Sequence, residues 1–504
     1  MEDLTISKKN NNLDNLLEKI VSLAKRRGFV FQSSEIYGGL NGCWDYGPLG
    51  VELLNNIKSE WWKTMTYRED VEGIDASILM HPRVWEASGH VENFTDPMID
   101  CKQCKARFRL DVLGDSYADK KKDKAIQEFK ENLKSNEVLL KKIDEKIDNA
   151  GQENPLTLLL EDTEISKLFL AQLNCPQCGN KGTFTDARKF NLMFKTFIGP
   201  MEDSTAVVYL RPETAQGIFV NFLNVQSSSR QKLPFGIAQI GKAFRNEINT
   251  KNFLFRTREF EQMEMQFFVN PDDDKKWYDY WKAERLDWFK RMGMTPTKLR
   301  YHDHPADKLA HYAKEAVDIE YEFPFGWGEI EGIHNRTNYD LSRHEEFSGK
   351  SLKYFDEQSK EKFIPFIIET SAGASRSFMA FLVDAYYEEE VNGELRSVLK
   401  FHPRLAPIKA AVFPLVNKDG MPEIARKIET DLRKSFRVFY DDKGAVGRRY
   451  RRQDEAGTPY CITIDTQTLE DQTVTVRERD TMEQERVGID QLSFYLSQKL
   501  TSME

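Results

Sequence analysis

The stretch from Arg211 to Phe268 constrains the fold more than any other part of this chain. Apolar and aromatic runs alternate there with short polar turns. This pattern is typical of β-strands joined by hairpins, and hairpin-linked strands pair antiparallel. The sequence therefore predicts an antiparallel sheet at the centre of the fold, followed by a helix from Lys275 to Arg291.

The last hundred residues predict a different architecture, in which strands alternate with helices. Such alternation implies βαβ units and a small α/β domain. The predicted strands are 408–416, 437–440, 460–464 and 473–476, and the predicted helices are 422–434 and 489–500. Pro403 and Pro407 interrupt regular structure between the two regions. We therefore expect a first domain over residues 1–404 and an α/β domain over residues 405–504.

Composition places the chain among ordinary globular proteins. Its 504 residues, of which 40% are hydrophobic and 30% charged, exclude collagen-like, mucin-like and wholly disordered chains. No run approaches the ~18 apolar residues that cross a bilayer, and the polar stretch from Met1 to Leu13 lacks a signal or transit pattern. We expect a cytoplasmic protein with no membrane partner. Because the net charge is −9, any nucleic-acid site must be a local basic patch.

Four of the six cysteines stand in two Cys-x-x-Cys pairs. This is the spacing of a tetrahedral zinc site with four thiolate ligands, which leaves no open position for catalysis. Four reduced or redox-active thiols are the alternative. The predicted ligands are Cys101, Cys104, Cys175 and Cys178. By contrast, three histidines with loose metal-like spacing are expected to be surface or core residues: His302, His304 and His311.

The two cysteine pairs bracket a stretch rich in Lys, Glu, Asp and Asn, from Asp119 to Lys146. Its apolar residues recur every three to four positions or multiples of that, which predicts helix. We expect a solvated helical arm inserted in a domain, with a coiled-coil-like pairing as the alternative. Knuckle and arm together would form an insertion over residues 101–185.

Two predicted strands concentrate residues suited to phosphates, bases and cations. Phe244-Arg245-Asn246-Glu247 ends one of them, and the run from Arg256 to Glu264 forms the next. Side chains at i and i+2 share a face of a strand, so Arg245 and Glu247 would point the same way, as would alternate residues of the second run. Arginines suit phosphate oxygens, an aromatic ring suits a nucleobase, and carboxylates suit an ammonium group or a metal ion. A salt-bridged sheet face is the alternative.

This arrangement resembles motif 2 of the class II aminoacyl-tRNA synthetases. The stretch from Glu369 to Arg376, with the apolar helix after it, resembles motif 3. Within the class, the chain resembles the homodimeric glycyl-tRNA synthetases over nearly its whole length. The other stretches that carry this resemblance are 45–50, 88–90, 210–217, 327–333 and 447–455. Two departures are Ser375, where the family commonly has an acid, and the charged insertion after Asp119.

The resemblance implies an α+β fold: an antiparallel-sheet catalytic domain (1–404) that carries the zinc-knuckle and arm insertion (101–185), and an α/β anticodon-binding domain (405–504). It implies that glycine reacts with ATP, aided by Mg²⁺, and that the glycyl group then passes to the 3′ end of tRNA(Gly). It also implies a homodimer, in which the region from His81 to Pro97 supplies contacts like those of motif 1.

The resemblance assigns site residues as well. The implied catalytic residues are Arg245, Glu247 and Arg376. The implied ATP-binding residues are Arg245, Asn246, Glu247, Phe255, Arg256, Thr257, Arg258, Glu259, Phe260, Glu329, Ile330, Gly373, Ala374, Ser375 and Arg376. The implied glycine-binding residues are Arg109, Glu213, Phe260, Glu261, Gln262, Met263, Glu264, Glu369, Thr370, Ser371, Ala372 and Gly373.

The residue types make these roles chemically sensible. Arg245 would hold the α-phosphate, with Arg256 and Arg376 at the outer phosphates, and Phe260 would stack on adenine. Glu247 would read the exocyclic amine of adenine, and Glu329 would lie by the triphosphate, through Mg²⁺. Carboxylates at 213, 264 and 369 would attract the ammonium group of glycine, and the hydroxyl at 371 would add direction.

The densest basic cluster lies near the C-terminus, interleaved with Tyr450, and is interpreted as a loop. Basic and aromatic residues together suit single-stranded RNA. The alternative is a solvated loop paired with Asp454 and Glu455, and the architecture of the resembled family favours the anticodon. The predicted tRNA-binding residues are Arg448, Arg449, Arg451 and Arg452.

Two other functions compete with this one. A synthetase-like nucleic-acid-binding protein without catalysis, such as the accessory subunit of mitochondrial DNA polymerase, would lack the ATP-binding arginines, and all three are present here. A class II synthetase of another specificity would need a pocket for a side chain.

Overall fold

The computed structural model describes residues 2–501, apart from residues 114–118, 134–135, 149–154, 201, 204, 249, 251, 306–308, 311 and 392. The chain divides into two compact units. The main unit comprises Met1–Ser88 and Phe194–Glu504, and the insertion unit comprises Gly89–Met193. The predicted domain boundary at residue 404 stays a prediction, because the residues on both sides of it belong to the main unit.

The α-helices are numbered along the chain. They are α1 Glu2–Arg27, α2 Pro48–Thr66, α3 Pro82–Ala87, α4 His90–Asn93, α5 Leu110–Leu113, α6 Asp119–Asn132, α7 Glu137–Asp148, α8 Pro155–Glu161, α9 Thr163–Leu170, α10 Ala215–Val220, α11 Phe222–Ser229, α12 Asp274–Arg291, α13 Tyr339–Ser348, α14 Ala374–Ala385, α15 Met421–Leu432, α16 Val446–Ala456, α17 Thr466–Asp471 and α18 Leu492–Thr501.

The strands are numbered in the same way. They are β1 Val30–Gln32, β2 Trp44–Tyr46, β3 Val71–Gly73, β4 Thr95–Asp100, β5 Arg107–Arg109, β6 Arg188–Asn191, β7 Lys195–Phe197, β8 Val207–Tyr209, β9 Phe235–Phe244, β10 Glu259–Val269, β11 Leu299–Asp303, β12 Glu315–Phe323, β13 Gly326–Thr337, β14 Tyr354–Phe355, β15 Lys362–Phe363, β16 Phe366–Gly373, β17 Tyr386–Val391, β18 Glu394–Leu399, β19 Ala410–Pro414, β20 Val438–Tyr440, β21 Tyr460–Ile464, β22 Thr473–Glu478 and β23 Gln484–Gly488.

Seven strands of the main unit form one sheet, in the order β11-β12-β13-β16-β10-β9-β3. Neighbouring strands are antiparallel, except that β3 is parallel to β9. The predicted antiparallel sheet is therefore confirmed, and the helix predicted from Lys275 to Arg291 is confirmed as α12.

The two faces of this sheet differ in chemistry. On β10, Met263, Met265 and Phe267 are fully buried in an apolar core that also contains side chains of α2, α12 and α14. The alternating residues, such as Gln262 and Glu264, point to the opposite face. Apolar side chains of α10, α11 and α13 cover one end of that face. Its other end is a polar cleft.

The segment between β8 and β9 contains two helices, α10 and α11, where the sequence pattern predicts strands. That part of the prediction is wrong. The fully buried apolar residues there are Ala215, Ile218, Phe219 and Phe222. Ala215, Ile218 and Phe219 have a spacing of three and four residues that places them on one face of α10, and Phe222 begins α11, so the helical period decides the structure.

The C-terminal strands form a mixed sheet in the order β20-β19-β21-β22-β23. β19 is parallel to both β20 and β21, while β22 pairs antiparallel with its two neighbours. Helix α15 lies between β19 and β20 in the chain, and α16 lies between β20 and β21. The predicted order of strand, helix and strand is thus confirmed over residues 410–440, and the predicted strand 460–464 is confirmed as β21.

The basic cluster predicted to lie in a loop is instead on helix α16, so that prediction is wrong. Arg449, Gln453 and Ala456 are buried at helical spacing. Gly457, with φ 78°, ends the helix, because glycine adopts this left-handed conformation without strain. The buried face of the helix outweighs the low helix propensity of Gly447.

The insertion unit has its own sheet and its own core. Its strands follow the order β5-β4-β6. The predicted arm is helical, as α6 and α7, but it is not merely a solvated arm: Phe129 and Ile143 are fully buried in a core shared with α8 and α9. The rings of Phe129 and Phe169 stack with their centroids 4.3 Å apart. The apolar positions of the charged stretch therefore serve packing within this unit.

Candidate active site

The cleft lies on the polar face of the seven-stranded sheet, where the ends of β9, β10, β13 and β16 meet. Predicted ATP-binding and glycine-binding residues line it together. The lining residues are Glu213, Arg245, Glu247, Leu254, Phe255, Arg256, Thr257, Phe260, Gln262, Glu264, Tyr312, Glu329, Gly332, His334, Arg336, Glu369, Ser371, Gly373, Ser375 and Arg376.

Two of the predicted phosphate-binding arginines follow or precede the central strands. Arg245 comes directly after β9, donates from Nε to the carbonyl of Pro212 at 3.0 Å, and has its guanidinium 5.3 Å from the ring centroid of Phe260. Arg256 comes shortly before β10 and forms an ion pair with Glu247 at 3.7 Å. Both arginines line the cleft.

The third arginine, Arg376, is in the first turn of α14. Its guanidinium lies 4.4 Å from the ring centroid of Phe255, and its Nε donates to the carbonyl of the same residue at 3.1 Å. Its Nη1 pairs with the carboxylate of Glu329 at 2.9 Å. Burial alone would raise the pKa of Glu329, but Arg376 outweighs burial and lowers it. Glu329 is thus a carboxylate at neutral pH.

Several predicted site residues do not line this cleft. The short run from Arg256 to Arg258 precedes β10, so the alternation of side chains does not extend through it. Arg258 donates to the carbonyls of Glu247 and Asn41. From β10, Glu259 pairs with Lys242 at 2.9 Å and Glu261 pairs with Lys58 at 3.1 Å. The other predicted residues of the main unit outside the lining are Asn246, Met263, Ile330, Thr370, Ala372 and Ala374.

The predicted ammonium-binding carboxylates lie at the inner end of the cleft, where buried donors contact them. Glu264 accepts from the hydroxyl of Thr214 and from Gln266 Nε2, the latter at 3.1 Å. Gln266 also donates to Glu369, at 2.7 Å. Glu213 accepts from Gln216 at 2.8 Å. Three carboxylates thus converge on one pocket.

The surroundings of these carboxylates shift the pKa values of Glu264 and Glu369 in opposite directions. Burial, together with the charges of Glu369 and Glu213, raises the pKa of Glu264 well above its ordinary value. Burial would do the same to Glu369, but the charge of Arg336 and the hydrogen bond from His334 outweigh it and lower the pKa of Glu369. Glu369 is therefore the permanent negative charge of the pocket.

Sequence reasoning missed the buried arginine of this pocket. Arg336 donates to both oxygens of Asp340, at 2.8 and 2.9 Å, and to Glu369 at 3.1 Å. Its guanidinium lies 4.0 Å from the ring centroid of Tyr312. The i,i+4 spacing of Arg336 and Asp340 was visible in the sequence, but no motif connects it to Glu369.

Ser375, which departs from the family pattern, is buried and accepts a hydrogen bond from the hydroxyl of Tyr46 at 3.0 Å. Burial raises the pKa of Tyr46, so the phenol stays protonated and remains a donor. The position before Arg376 is therefore occupied by a neutral hydrogen-bonded pair.

The four cysteines of the two pairs converge in the insertion unit. Their sulfur atoms all lie within 4.8 Å of one another. The sulfurs of Cys101 and Cys178 are 3.7 Å apart, as are those of Cys104 and Cys175, and all four thiols are free. Thiolates around one zinc ion at ~2.3 Å form a tetrahedron with edges of about 3.8 Å, so this geometry fits the metal.

Arg109, a predicted substrate contact, also lies in the insertion unit. It ends β5 and pairs with Asp96 at 3.2 Å. Its assignment as a substrate contact stays a prediction.

The four arginines of α16 differ in what surrounds them. Arg449 is buried and donates to the carbonyls of Gly444, Pro414 and Asp442. Arg451 pairs with Asp454 at 3.6 Å, and Arg452 pairs with Asp441 at 2.5 Å. Arg448 is exposed.

Asp454 is the acidic centre of this helix and is completely buried. Besides Arg451 it pairs with Arg396 of β18 and Arg477 of β22, each at 3.1 Å. The next residue, Glu455, pairs with Arg26 and Arg27 of α1. The predicted contact of the basic cluster with these two acids is thus observed for Arg451 and Asp454.

Two of the three histidines with metal-like spacing lie at the edge of the large sheet. His302 pairs with Glu320 at 3.1 Å, and His304 pairs with Asp318 at 2.9 Å. These are hydrogen-bonded partners at a sheet edge, while His311 lies outside the described residues. Within the part of the chain that the structure describes, no helix has the length and apolar character to cross a membrane.

The chain matches three family models. The one described as tRNA synthetase class II core domain (G, H, P, S and T) matches residues 196–386. Glycyl-tRNA synthetase insertion domain 1 matches residues 96–192, and the anticodon binding domain matches residues 409–499. The insertion match agrees closely with the insertion unit of the structure.

Curated relatives are similar over almost their whole length. A protein named glycine–tRNA ligase from Treponema denticola is 55% identical over 478 residues, which cover 94% of this chain and 94% of the relative. Proteins of the same name from Borreliella burgdorferi and Streptomyces coelicolor are 53% and 50% identical, over 96% of this chain and 97% and 98% of their own lengths. The similarity therefore spans the sheet, the insertion and the C-terminal strands.

Proposed function

The chain belongs to the glycine–tRNA ligases of the class II aminoacyl-tRNA synthetases, and from this we propose that its cleft activates glycine with ATP. The glycine carboxylate attacks the α-phosphorus and expels pyrophosphate, and the resulting glycyl-adenylate then transfers its glycyl group to the terminal ribose of tRNA(Gly). Displacement at phosphorus requires alignment and charge neutralisation more than a protein base.

The observation that carries this proposal is the separation of charge along one cleft. Phe260, next to Arg245, is near the start of β10, and Glu264 is four residues further along the strand, about 13 Å away at ~3.3 Å per residue. Glycine bound by its ammonium group at Glu264 and Glu369 would direct its carboxylate toward the arginines. Nucleophile and α-phosphate would then meet between the two ends.

At the arginine end, Arg245 would hold the α-phosphate, and Arg256 with Arg376 would hold the outer phosphates. Phe260 would stack on adenine, and Glu247 would accept from its exocyclic amine. Glu329, kept ionised by Arg376, would hold Mg²⁺. The metal, when bound, neutralises charge on the departing pyrophosphate.

At the carboxylate end, the pocket must bind an ammonium group and exclude every side chain. Glu213 and Glu369 supply negative charge, Glu264, whose pKa is raised, supplies oxygen atoms that accept hydrogen bonds, and Ser371 lies in the same lining. An added methyl group would overlap with a rigid, hydrogen-bonded wall, which is a stronger basis for rejection than a lost contact.

ATP–pyrophosphate exchange with each of the twenty amino acids tests this function. We expect exchange with glycine alone. Equal exchange with alanine or serine would overturn the specificity. No exchange with any amino acid would indicate the competing function, a synthetase-like binding protein without catalysis.

We also propose that the four clustered cysteines hold one structural zinc ion per chain. The fit of their sulfur positions to a tetrahedron supports this, and bound zinc would stabilise the fold of the insertion unit. Metal analysis of protein purified without chelator should give one zinc per chain, and Cys175→Ser should lose it. The matched control, Cys43→Ser, changes a free cysteine of the main unit and should keep the zinc. Zinc-free wild type would overturn the proposal.

The remaining proposals concern partners and location. We propose that helix α16 contributes to binding of the tRNA anticodon, that the enzyme is a homodimer, and that it works in the cytoplasm. Membership of the family supports all three. Light scattering of the purified enzyme across a dilution series tests the second, since a monomer of 58.7 kDa at working concentration would contradict it.

A further inference from the structure

Glu369 is held by donors from two neighbouring strands. His334 of β13 donates to Glu369 Oε1 at 2.7 Å, while Arg336 of β13 and Gln266 of β10 donate to Oε2 at 3.1 and 2.7 Å. The side chain of Glu369 is 5% exposed. These donors fix which way the remaining lone pairs of the carboxylate can point.

His334 is the most exposed of these donors, and it lines the cleft. Its side chain is 22% exposed, against 6% for Arg336, and Gln266 does not line the cleft. Gly332 makes room for the ring, since a Cβ at that position would lie 2.8 Å from His334 Cε1. Glycine at 332 and histidine at 334 are therefore a matched pair of the cleft floor.

The positive charge that acts on Glu369 comes from Arg336 and depends on the protonation of His334. Arg336 shares its single positive charge between Asp340 and Glu369. A neutral His334 donates from Nδ1 and leaves Glu369 with negative charge for a ligand. A protonated His334 would supply a second cation and neutralise that charge.

We propose that His334 is a positioning residue for glycine: its Nδ1–H orients Glu369 toward the ammonium group, and its protonation weakens the attraction of this carboxylate for glycine. This inference rests on the proposed function of the cleft. It names a specificity-supporting residue beyond those that contact the substrates.

Charged groups surround His334 on its own strand and on the two strands that pair with it. Glu369 faces it from β16, Arg336 and Glu329 belong to its own strand, and Asp318 faces it from β12. Burial lowers the pKa of His334, but the hydrogen bond to Glu369 and the charge of that residue outweigh burial and raise it above its ordinary value. As pH falls, His334 gains a proton and binding of glycine should weaken.

Two substitutions separate orientation from charge. His334→Phe removes the donor and the titration, whereas His334→Asn offers an amide N–H near the Nδ1 position but does not titrate. In pyrophosphate exchange, H334F should raise the KM for glycine about tenfold or more, since a hydrogen bond to a charged group is lost. The KM for ATP should stay within about twofold. H334N should restore most of the glycine KM.

The pH profile supplies the second readout. Wild-type KM for glycine should rise as pH falls from about 8 to about 6, the range in which histidine titrates, and H334N should show no such rise. His302→Asn is the matched control, because His302 pairs with Glu320 at the edge of the sheet. This variant should show the wild-type KM for glycine and the wild-type dependence of that KM on pH.

Three results would overturn this inference. One is an unchanged glycine KM in H334F that unfolds at the wild-type temperature. Another is an equal rise of both KM values, which would indicate general damage. The third is a pH dependence that persists in H334N, which would assign the titration to Glu264. Failure of the proposed function is distinct from all three, because wild-type enzyme would then show no exchange with glycine.

Discussion

In the cleft, Arg245, Arg256 and Arg376 come from three separate segments and all line a single cavity, where Arg256 also pairs with Glu247 and Arg376 with Glu329. On α16, by contrast, four arginines are almost adjacent in the sequence, yet Arg449 is buried against backbone carbonyls and two others pair with Asp454 and Asp441. The groups around an arginine therefore decide whether it can bind a ligand. The number of arginines in a stretch of sequence does not.

The physical reason for this difference is geometric. An α-helix distributes successive residues around its axis, so a run of arginines must send some of them toward the protein. A buried guanidinium requires acceptors, and α16 receives them from carbonyls and carboxylates. A sheet cleft instead collects residues from strand ends that all face one side.

The largest effect is expected from Asp454→Asn, which tests whether the buried ion pairs of Asp454, including the one with Arg451 of α16, serve structure. Three arginines, Arg396, Arg451 and Arg477, share this one buried carboxylate. Removing its charge should lower the free energy of unfolding by about 3–5 kcal/mol. Urea denaturation measures this as a lower midpoint.

Glu455→Gln is the matched control, since Glu455 is partly exposed and pairs with Arg26 and Arg27. Its effect should not exceed about 1 kcal/mol. Equal urea midpoints for D454N and wild type would break the comparison, because the pairing of Arg451 with Asp454 would then contribute nothing to stability.

A second test addresses the cleft arginines. Arg245→Ala should lower kcat/KM for pyrophosphate exchange by about 10²–10³-fold, as expected for loss of one preorganised donor. The unfolding midpoint should stay near the wild-type value.

Lys242→Ala is the control for Arg245→Ala, because Lys242 is a nearby cation that pairs with Glu259 outside the cleft lining. It should exchange within a few-fold of wild type. Near-normal exchange by R245A would show that the α-phosphate is held elsewhere.

The smallest effect is expected within α16 itself. Arg448→Ala should weaken tRNA binding several-fold and reduce the slope of log affinity against log salt by roughly 0.7–0.9, the value for one phosphate contact. Arg452→Gln should change binding less, because Arg452 is paired with Asp441. Glycine activation without tRNA should be unaffected in both variants. If R452Q lost as much affinity as R448A, the ion pair of Arg452 with Asp441 would have to open when tRNA binds. The arginines of α16 would then be as available to a ligand as those of the cleft.

The sequence predicted those parts of the molecule that depend on local pattern. Apolar and aromatic runs broken by polar turns predicted the strands of the central sheet, and the spacing of the two cysteine pairs predicted their convergence. Residues whose role depends on strand register were missed: His334 reaches Glu369 because β13 pairs with β16, with His334 opposite Glu369. No spacing within one strand contains that information.

The predicted solvated arm and the predicted basic loop failed for a related reason. Phe129 and Arg449 stand among charged or glycine-rich neighbours, which made their segments resemble solvated structure. Each is buried by residues that are far away in the chain or by backbone carbonyls. The composition of a segment gives its average polarity and does not identify the single residue whose side chain is buried.

The contacts of Arg396 bear on how modular this enzyme is. Its side chain is completely buried at the end of the catalytic region of the sequence, with Glu389 at 2.8 Å, Asp454 at 3.1 Å and the carbonyl of Arg479 at 2.7 Å. Two of these three partners lie beyond residue 404. A fragment cut there would retain the whole cleft and lose the groups that neutralise Arg396. Sequence similarity thus defines the anticodon-binding region as a separate segment. Cleavage by a protease at residue 404, however, would destabilise the fragment that remains.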